Sequence, residues 1–136
     1  MKLELPLKLL APANLKLVLF NYCKLEEISE DFFKNSSSIE EINLSNNNIG
    51  SLPKDIFVDQ IMLHKLNFQM NNLSKLTDGL FDTTVNMRTL LLSSNKLQSI
   101  SRYVESIKES NTFNNNNNIS STDIYLQSLK NLKHFI

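Results

Sequence analysis

The chain has 136 residues, with 14 basic and 14 acidic side chains, so its formal net charge is zero. This length suits one domain. The lack of a basic excess argues against nucleic acid or an anionic membrane surface as a partner. The single cysteine, Cys23, excludes an internal disulfide framework and a paired-cysteine metal site.

The N-terminal stretch MKLELPLKLLAPA is apolar, but Glu4, Pro6 and Lys8 interrupt it. A secretory signal needs an unbroken apolar run, and a membrane span needs a longer one. The sequence therefore favours a cytoplasmic location. An extracellular location remains the alternative if a signal peptide is missing from this chain.

From residue 15 onward the chain repeats itself with a period of 24 residues. Four full repeats align without gaps over 15–38, 39–62, 63–86 and 87–110. In "IEEINLSNNNIGSLPKDIF", which opens the second repeat, apolar residues stand at repeat positions 1, 4, 6, 11, 14, 18 and 19. Positions 4 and 6 alternate as in a strand with one buried face. One short strand cannot bury that face alone, so we expect the repeats to stack with parallel strands.

After each strand, repeat position 15 carries a residue that suits a helix start. Its occupants are Ser29, Pro53, Thr77 and Ser101. Serine and threonine accept hydrogen bonds from the free N–H groups of a first helical turn, and proline fits that turn. Acidic residues such as Glu30 and Asp55 follow, which favours the same end of a helix. The pattern predicts a short helix or a single helical turn in each repeat.

Repeat position 9 is polar although its neighbours are apolar. It holds Cys23, Asn47, Asn71 and Asn95. An unpaired buried amide costs roughly 1–3 kcal/mol. We therefore expect a ladder in which each asparagine side chain bonds backbone groups of its own turn and of the neighbouring turn, with cysteine as a small, weakly polar substitute.

The pattern L-x-x-L-x-L-x-x-N/C-x-L is complete in all four copies, and "LPKDIF" adds the L-P-x-x-x-F step. The chain resembles the leucine-rich repeat family, in its typical 24-residue form. The resemblance implies an α/β fold: a right-handed solenoid with a concave parallel β-sheet and short helices or helical turns on the convex side. Position 22, usually apolar in that form, is polar here, which predicts looser convex packing. Its occupants are Ser36, Gln60, Thr84 and Lys108.

Both ends of the chain resemble incomplete repeats. Residues 1–14 resemble the end of a preceding repeat, and residues 132–136 resemble the start of a truncated one. Residues 111–131 contain the run NTFNNNNNIS, which is either a degenerate fifth repeat with one extra turn residue or a disordered loop. Because no cap is visible, we expect a fragment, a truncated product or self-association through the exposed ends.

The resemblance implies a non-enzymatic module that binds a protein partner of unknown identity through its concave face, as in scaffold and signalling proteins. Side chains at the outward strand positions are not needed for the core, so they can contact a partner, and tyrosine is a favoured binding residue. The alternative is that this face binds nothing. The candidate residues are Leu17, Leu19, Tyr22, Glu41, Asn43, Lys65, Asn67, Met70, Arg88 and Leu91.

Catalysis, metal binding and cofactor binding find little support in the sequence. His64 and His134 are far apart, and no paired-histidine metal motif or glycine-rich phosphate loop occurs. We therefore predict no catalytic residues, no metal and no cofactor. Two other functions stay open: a recognition fragment of a larger signalling enzyme or ubiquitin ligase, and an extracellular adhesion or receptor ectodomain.

Overall fold

A computed structural model describes residues 13–97 and 124–125 of the chain. Within these residues, five short strands form one sheet and lie in it in chain order. The strands are β1 (Leu17–Leu19), β2 (Glu41–Asn43), β3 (Lys65–Asn67), β4 (Thr89–Leu91) and β5 (Ile124–Tyr125).

The first four strands pair in parallel, with the same register at every step. Val18 lies opposite Ile42, Ile42 opposite Leu66, and Leu66 opposite Leu90. Each pairing therefore joins residues 24 positions apart, which is the period of the sequence. The central residue of each strand is buried, because apolar side chains at alternate positions pack on one face of the sheet.

The fifth strand departs from the expected all-parallel sheet. β5 pairs antiparallel with β4, with Leu90 opposite Ile124 and Thr89 opposite Tyr125. A fifth parallel repeat with the same 24-residue offset would place its strand at residues 113–115, where the sequence reads Phe-Asn-Asn. Asparagine is a weak strand former, whereas isoleucine and tyrosine are strong ones. The edge of β4 is accordingly paired with the later segment.

The other side of the molecule, which we call the turn surface, consists of residues 30–35, 54–59 and 78–83. Each turn starts at repeat position 15, whose backbone carbonyl accepts a hydrogen bond from the amide three residues later. The donors are the amides of Phe32, Ile56 and Leu80. Within residues 13–97 these turns do not grow into helices, so of the two predicted forms, a short helix or a single helical turn, the structure has the turn there. A six-residue segment gains too few bonds to offset the cost of helix nucleation.

Phenylalanine rings form a continuous column beneath the turn surface. Phe33, Phe57 and Phe81, all at repeat position 19, are fully buried. The ring centroids of Phe33 and Phe57 are 6.1 Å apart, as are those of Phe57 and Phe81, and both pairs are stacked. Stacking of this kind adds to the stabilisation that area burial provides. The column joins three repeats into one hydrophobic core.

The expected loose packing at repeat position 22 is also wrong for the three copies that the structure describes. Ser36, Gln60 and Thr84 are buried, and Gln60 has no exposed surface. We call these three residues the turn column. The Gln60 amide donates to the Phe33 carbonyl at 2.7 Å, and the Thr84 hydroxyl donates to the Phe81 carbonyl at 2.9 Å. Polar side chains are accommodated because backbone carbonyls of the turns accept their bonds.

Several sequence predictions lie outside the described residues. They concern residues 1–12, the last part of the fourth repeat, the asparagine-rich run at 111–120 and the C-terminal residues 132–136.

Candidate protein-binding surface

The side chains of β1–β4 that point away from the core form what we call the sheet surface. At the β1 end of this surface, Leu17 and Leu19 are exposed on either side of buried Val18, and Leu19 is 57% exposed. A shallow cleft of about 80 Å³ begins beside them and is lined further by side chains of β2 and β3. Leucine side chains left in water retain apolar area that a partner could bury.

Charged residues continue the sheet surface next to this apolar end. Glu41 of β2 lies opposite Lys65 of β3 in the parallel register. Neither side chain belongs to an ion pair or hydrogen bond within residues 13–97, whereas the neighbouring Glu40 is bonded to Lys16 at 3.2 Å. Glu41 and Lys65 therefore present one charge of each sign beside Leu17 and Leu19.

Just beyond each strand the backbone turns into the left-handed region. Repeat position 8 has φ values of 57° at Tyr22, 57° at Asn46, 58° at Met70 and 59° at Ser94. Asparagine tolerates this conformation, but tyrosine and methionine adopt it at a cost. Tyr22 is 74% exposed, and Met70 is also exposed. Two large side chains are thus held outward on a fixed backbone.

Asparagine side chains fix these turns from inside. The Asn71 amide nitrogen donates to the carbonyls of Leu44 at 2.8 Å and Phe68 at 3.1 Å, and its oxygen accepts from the Ile49 amide at 3.1 Å. Asn71 therefore bonds its own turn and the preceding one. Asn47 and Asn95 repeat this arrangement.

Cys23 occupies the first place in the ladder. Its backbone amide donates to the Asn47 side-chain oxygen at 2.9 Å, and its thiol lies 3.3 Å from the Asn21 carbonyl. The thiol is free and exposed. We use the name Asn ladder for the four side chains Cys23, Asn47, Asn71 and Asn95.

Some of the predicted binding residues have other contacts. Leu91 is only 9% exposed, so it is not the exposed apolar residue that the strand alternation predicted. Asn43 accepts from the amide and hydroxyl of Ser45, and Asn67 accepts from the amide of Gln69. Both asparagines thus shape the turn that follows their strand and offer only part of their surface. Arg88 is exposed at the far end of the same sheet.

The structure also brings together four acidic residues on the turn surface, of which three stand at the predicted helix starts. Glu30, Asp31, Asp55 and Asp59 line one cleft of about 260 Å³ on the turn surface. The aspartate at position 17 of both repeats, Asp31 and Asp55, was the signal that could have revealed the cluster. Stacking with a 24-residue offset places such residues side by side.

Neither a metal-binding group, nor a membrane-spanning helix, nor a match to a known protein assigns a function to the described surfaces. Within the described residues, no group of three histidine, cysteine or acidic side chains is arranged to hold a metal ion. That part of the chain also has no helix with the length and apolarity needed to cross a membrane. Comparison with protein-family models and with curated proteins gives no match for this chain.

Proposed function

We propose that the chain is a leucine-rich repeat solenoid that acts as a non-enzymatic protein-interaction module, with the sheet surface as its concave binding face. The fold proposal is supported by three successive parallel pairings with a constant 24-residue offset and by the bonds of the Asn ladder. Both features follow the consensus positions of that repeat family.

The observation that carries the binding proposal is the group of exposed apolar side chains at the β1 end. Leu17, Leu19 and Tyr22 are all close to half exposed or more, although they stand on a rigid scaffold of buried neighbours. Tyrosine combines a large apolar area with a polar tip, which suits it to the centre of an interface. Glu41 and Lys65 would then set the orientation of the partner.

The partner that fits this surface presents an apolar side chain flanked by charges of both signs. The apolar side chain packs on Leu17, Leu19 and Tyr22. A basic group pairs with Glu41, and an acidic group pairs with Lys65. Arg88, two strands away from β2, extends the basic end.

Site-specific photocrosslinking tests the proposal. A photoreactive amino acid at position 22 should capture a partner, and the same group at Lys54 on the turn surface should not. With the captured partner in hand, Tyr22→Ala and Glu41→Lys should each weaken binding by more than about 1 kcal/mol. Lys54→Ala serves as the control and should leave the affinity unchanged. The assignment fails if Lys54→Ala reduces the affinity and the two sheet-surface changes do not.

A further inference from the structure

β1 and β5 are the two edge strands of the described sheet, and they differ in what they leave open. β5 pairs antiparallel with β4 and so covers the edge to which a further parallel repeat would be added. β1 pairs with β2 on one side, and no strand of the described residues pairs with its other side. The outer edge of β1 is therefore the place where the parallel array is open.

The backbone groups on this outer edge belong to Leu17 and Leu19. The Phe20 amide donates to the Asn43 carbonyl at 2.9 Å, and the Lys16 carbonyl accepts from β2 at 3.0 Å. Along a strand, successive residues direct their N–H and C=O groups to opposite sides. Because Lys16 and Phe20 bond β2, the N–H and C=O groups of Leu17 and Leu19 point away from it. They are available to a strand that lies alongside.

The side chains of β1 do not protect this edge. Proteins discourage pairing at an exposed edge with charged side chains, proline or bulges. At the two outward positions where β2 carries Glu41 and Asn43, β1 carries Leu17 and Leu19, and both leucines are about half exposed. An exposed apolar edge strand is a site where another chain is expected to pair.

The hydrophobic core is also less well covered at this end. Leu15 and Phe20 are only partly buried, whereas their equivalents in the second repeat, Ile39 and Leu44, are fully buried. The second repeat is packed between two others, and the first has a described full repeat on one side only. A strand added to β1 would bring apolar atoms over this end of the core, which is favourable in proportion to the apolar area removed from water.

The sequence of β1 suits a second copy of the same chain. β1 reads Leu-Val-Leu in both directions. Antiparallel pairing about a twofold axis at Val18 sets Leu17 of each copy opposite Leu19 of the other, and this register uses all the outward N–H and C=O groups of both leucines. The charged residue that precedes the strand, Lys16, is already compensated by Glu40 at 3.2 Å.

Stacking of copies in one direction is blocked at the other end of the sheet. Each parallel pairing joins equivalent residues, so β1 of one copy would fit the outer edge of β4 of another in the register that Leu66 and Leu90 already show. β5 occupies that edge, with Ile124 opposite Leu90. Association through β1 is therefore expected to close at two copies, as contacts between identical surfaces do, and not to form a filament.

We propose that two copies of the chain associate through the outer edges of β1, antiparallel about a twofold axis at Val18, to form one continuous sheet. The interface is small, so the dimer is weak and belongs to the class of contacts below about 1,200 Å². Leu17 and Leu19 of the two copies become neighbours on one face. The apolar end of the sheet surface is then built from both copies, and only this last consequence rests on the proposed function.

Disulfide trapping of the full chain tests the register. Cys23 is free and exposed, so all variants carry Cys23→Ser. In a hydrogen-bonded antiparallel pair the Cα atoms lie about 5.5 Å apart, which is within the range of a disulfide. Leu17→Cys mixed with Leu19→Cys should therefore crosslink under mild oxidation. Either variant alone should give at least about fivefold less dimer, because its own cysteines are two residues out of step in the pair.

Sedimentation velocity over a concentration series measures the association itself. The Cys23→Ser chain should pass from monomer to dimer and no further. Leu19→Lys should weaken the dimer about tenfold, since the twofold axis places the change in the interface twice and each cross-strand apolar pair contributes. Asn67→Lys adds the same charge at the equivalent position of β3, away from the edge, and should leave the dimer unchanged.

A chain that stays monomeric at every concentration would overturn the proposal. Equal crosslinking in the mixture and in the single variants, an equal loss from Asn67→Lys, or growth beyond the dimer would overturn it as well. The unfolding midpoint of each variant is measured first, and Leu17→Lys takes the place of Leu19→Lys if the latter does not fold. Because the samples contain this chain alone, a negative result leaves the proposed binding of another protein to the sheet surface unaffected.

Discussion

Two columns of polar side chains, most of them buried, run across the repeats, and their hydrogen-bonding groups are satisfied to different degrees. In the Asn ladder, the side-chain oxygen of each asparagine accepts from a backbone amide and its nitrogen donates to backbone carbonyls, at equivalent positions in each repeat. In the turn column, serine, glutamine and threonine replace one another, and the Gln60 oxygen is left without a partner. Where the same residue recurs in each repeat, the same hydrogen bonds recur with it. Where the residue differs between repeats, each side chain forms a different set of hydrogen bonds.

The largest expected effect comes from breaking the Asn ladder in its middle. Asn71→Leu removes the one acceptor that the Ile49 amide has among the described residues, whereas the carbonyls of Leu44 and Phe68 keep donors from Asn47 and Asn95. A buried N–H without a partner should lower the free energy of unfolding by about 1–3 kcal/mol. Denaturant titration measures it.

The neighbouring Asn72 provides the control for that change. Its side chain is half-buried and makes no hydrogen bond within the described residues. Asn72→Leu should alter stability by less than about 0.5 kcal/mol. Equal effects of the two changes would mean that water satisfies the turn and that the ladder contributes little.

A smaller effect is expected at the turn residue that the ladder holds in place. Met70 adopts φ 58° without the local side-chain bonding that lets asparagine tolerate this region. Met70→Asn should raise the free energy of unfolding by about 1 kcal/mol, and the reverse change Asn46→Met should lower it by a similar amount. Thermal unfolding of both variants checks the pair. If neither midpoint moves, the backbone at position 8 carries no residue-dependent strain.

The smallest effect is expected in the turn column. Gln60→Leu removes two donated bonds, but the Phe33 carbonyl keeps the Ser36 amide and the Ser36 carbonyl keeps the Ile39 amide. It also removes the unsatisfied oxygen. The net change should stay within about 0.5 kcal/mol, because the gain and the loss oppose each other. A loss as large as that of Asn71→Leu would show that the two columns are equivalent.

What the sequence predicts well is whatever recurs every 24 residues. Aligning Val18 with Ile42, Leu66 and Leu90 predicts the strand register, since the repeat offset is also the pairing offset. The ladder formed by Asn47 and Asn71 was predictable for the same reason. A polar residue that recurs at a buried position needs hydrogen-bond partners that recur at the same interval.

The features that the sequence did not predict belong to one repeat only. The burial of Leu91 and the antiparallel pairing of Ile124 involve the end of the repeat array, where the column pattern no longer applies. The turns that start at position 15 do recur as predicted, but the capping residues mark only where a turn begins and not whether it continues into a helix. The unsatisfied oxygen of Gln60 depends on the orientation of one side chain, about which spacing carries no information.

The constant register has a consequence for how such a chain can change its length. Every pairing between β1 and β4 joins residues 24 positions apart, and the Phe column and Asn ladder keep the same step. Duplicating residues 39–62 in the gene would therefore insert a unit whose two faces fit each other, and would lengthen the sheet by about 4.8 Å. Deleting or adding 23 residues would put the repeats on either side of the change one residue out of step, and every column would be broken at that junction. We expect a protein with the 24-residue duplication to unfold cooperatively and the 23-residue version to fail to fold, which circular dichroism would distinguish.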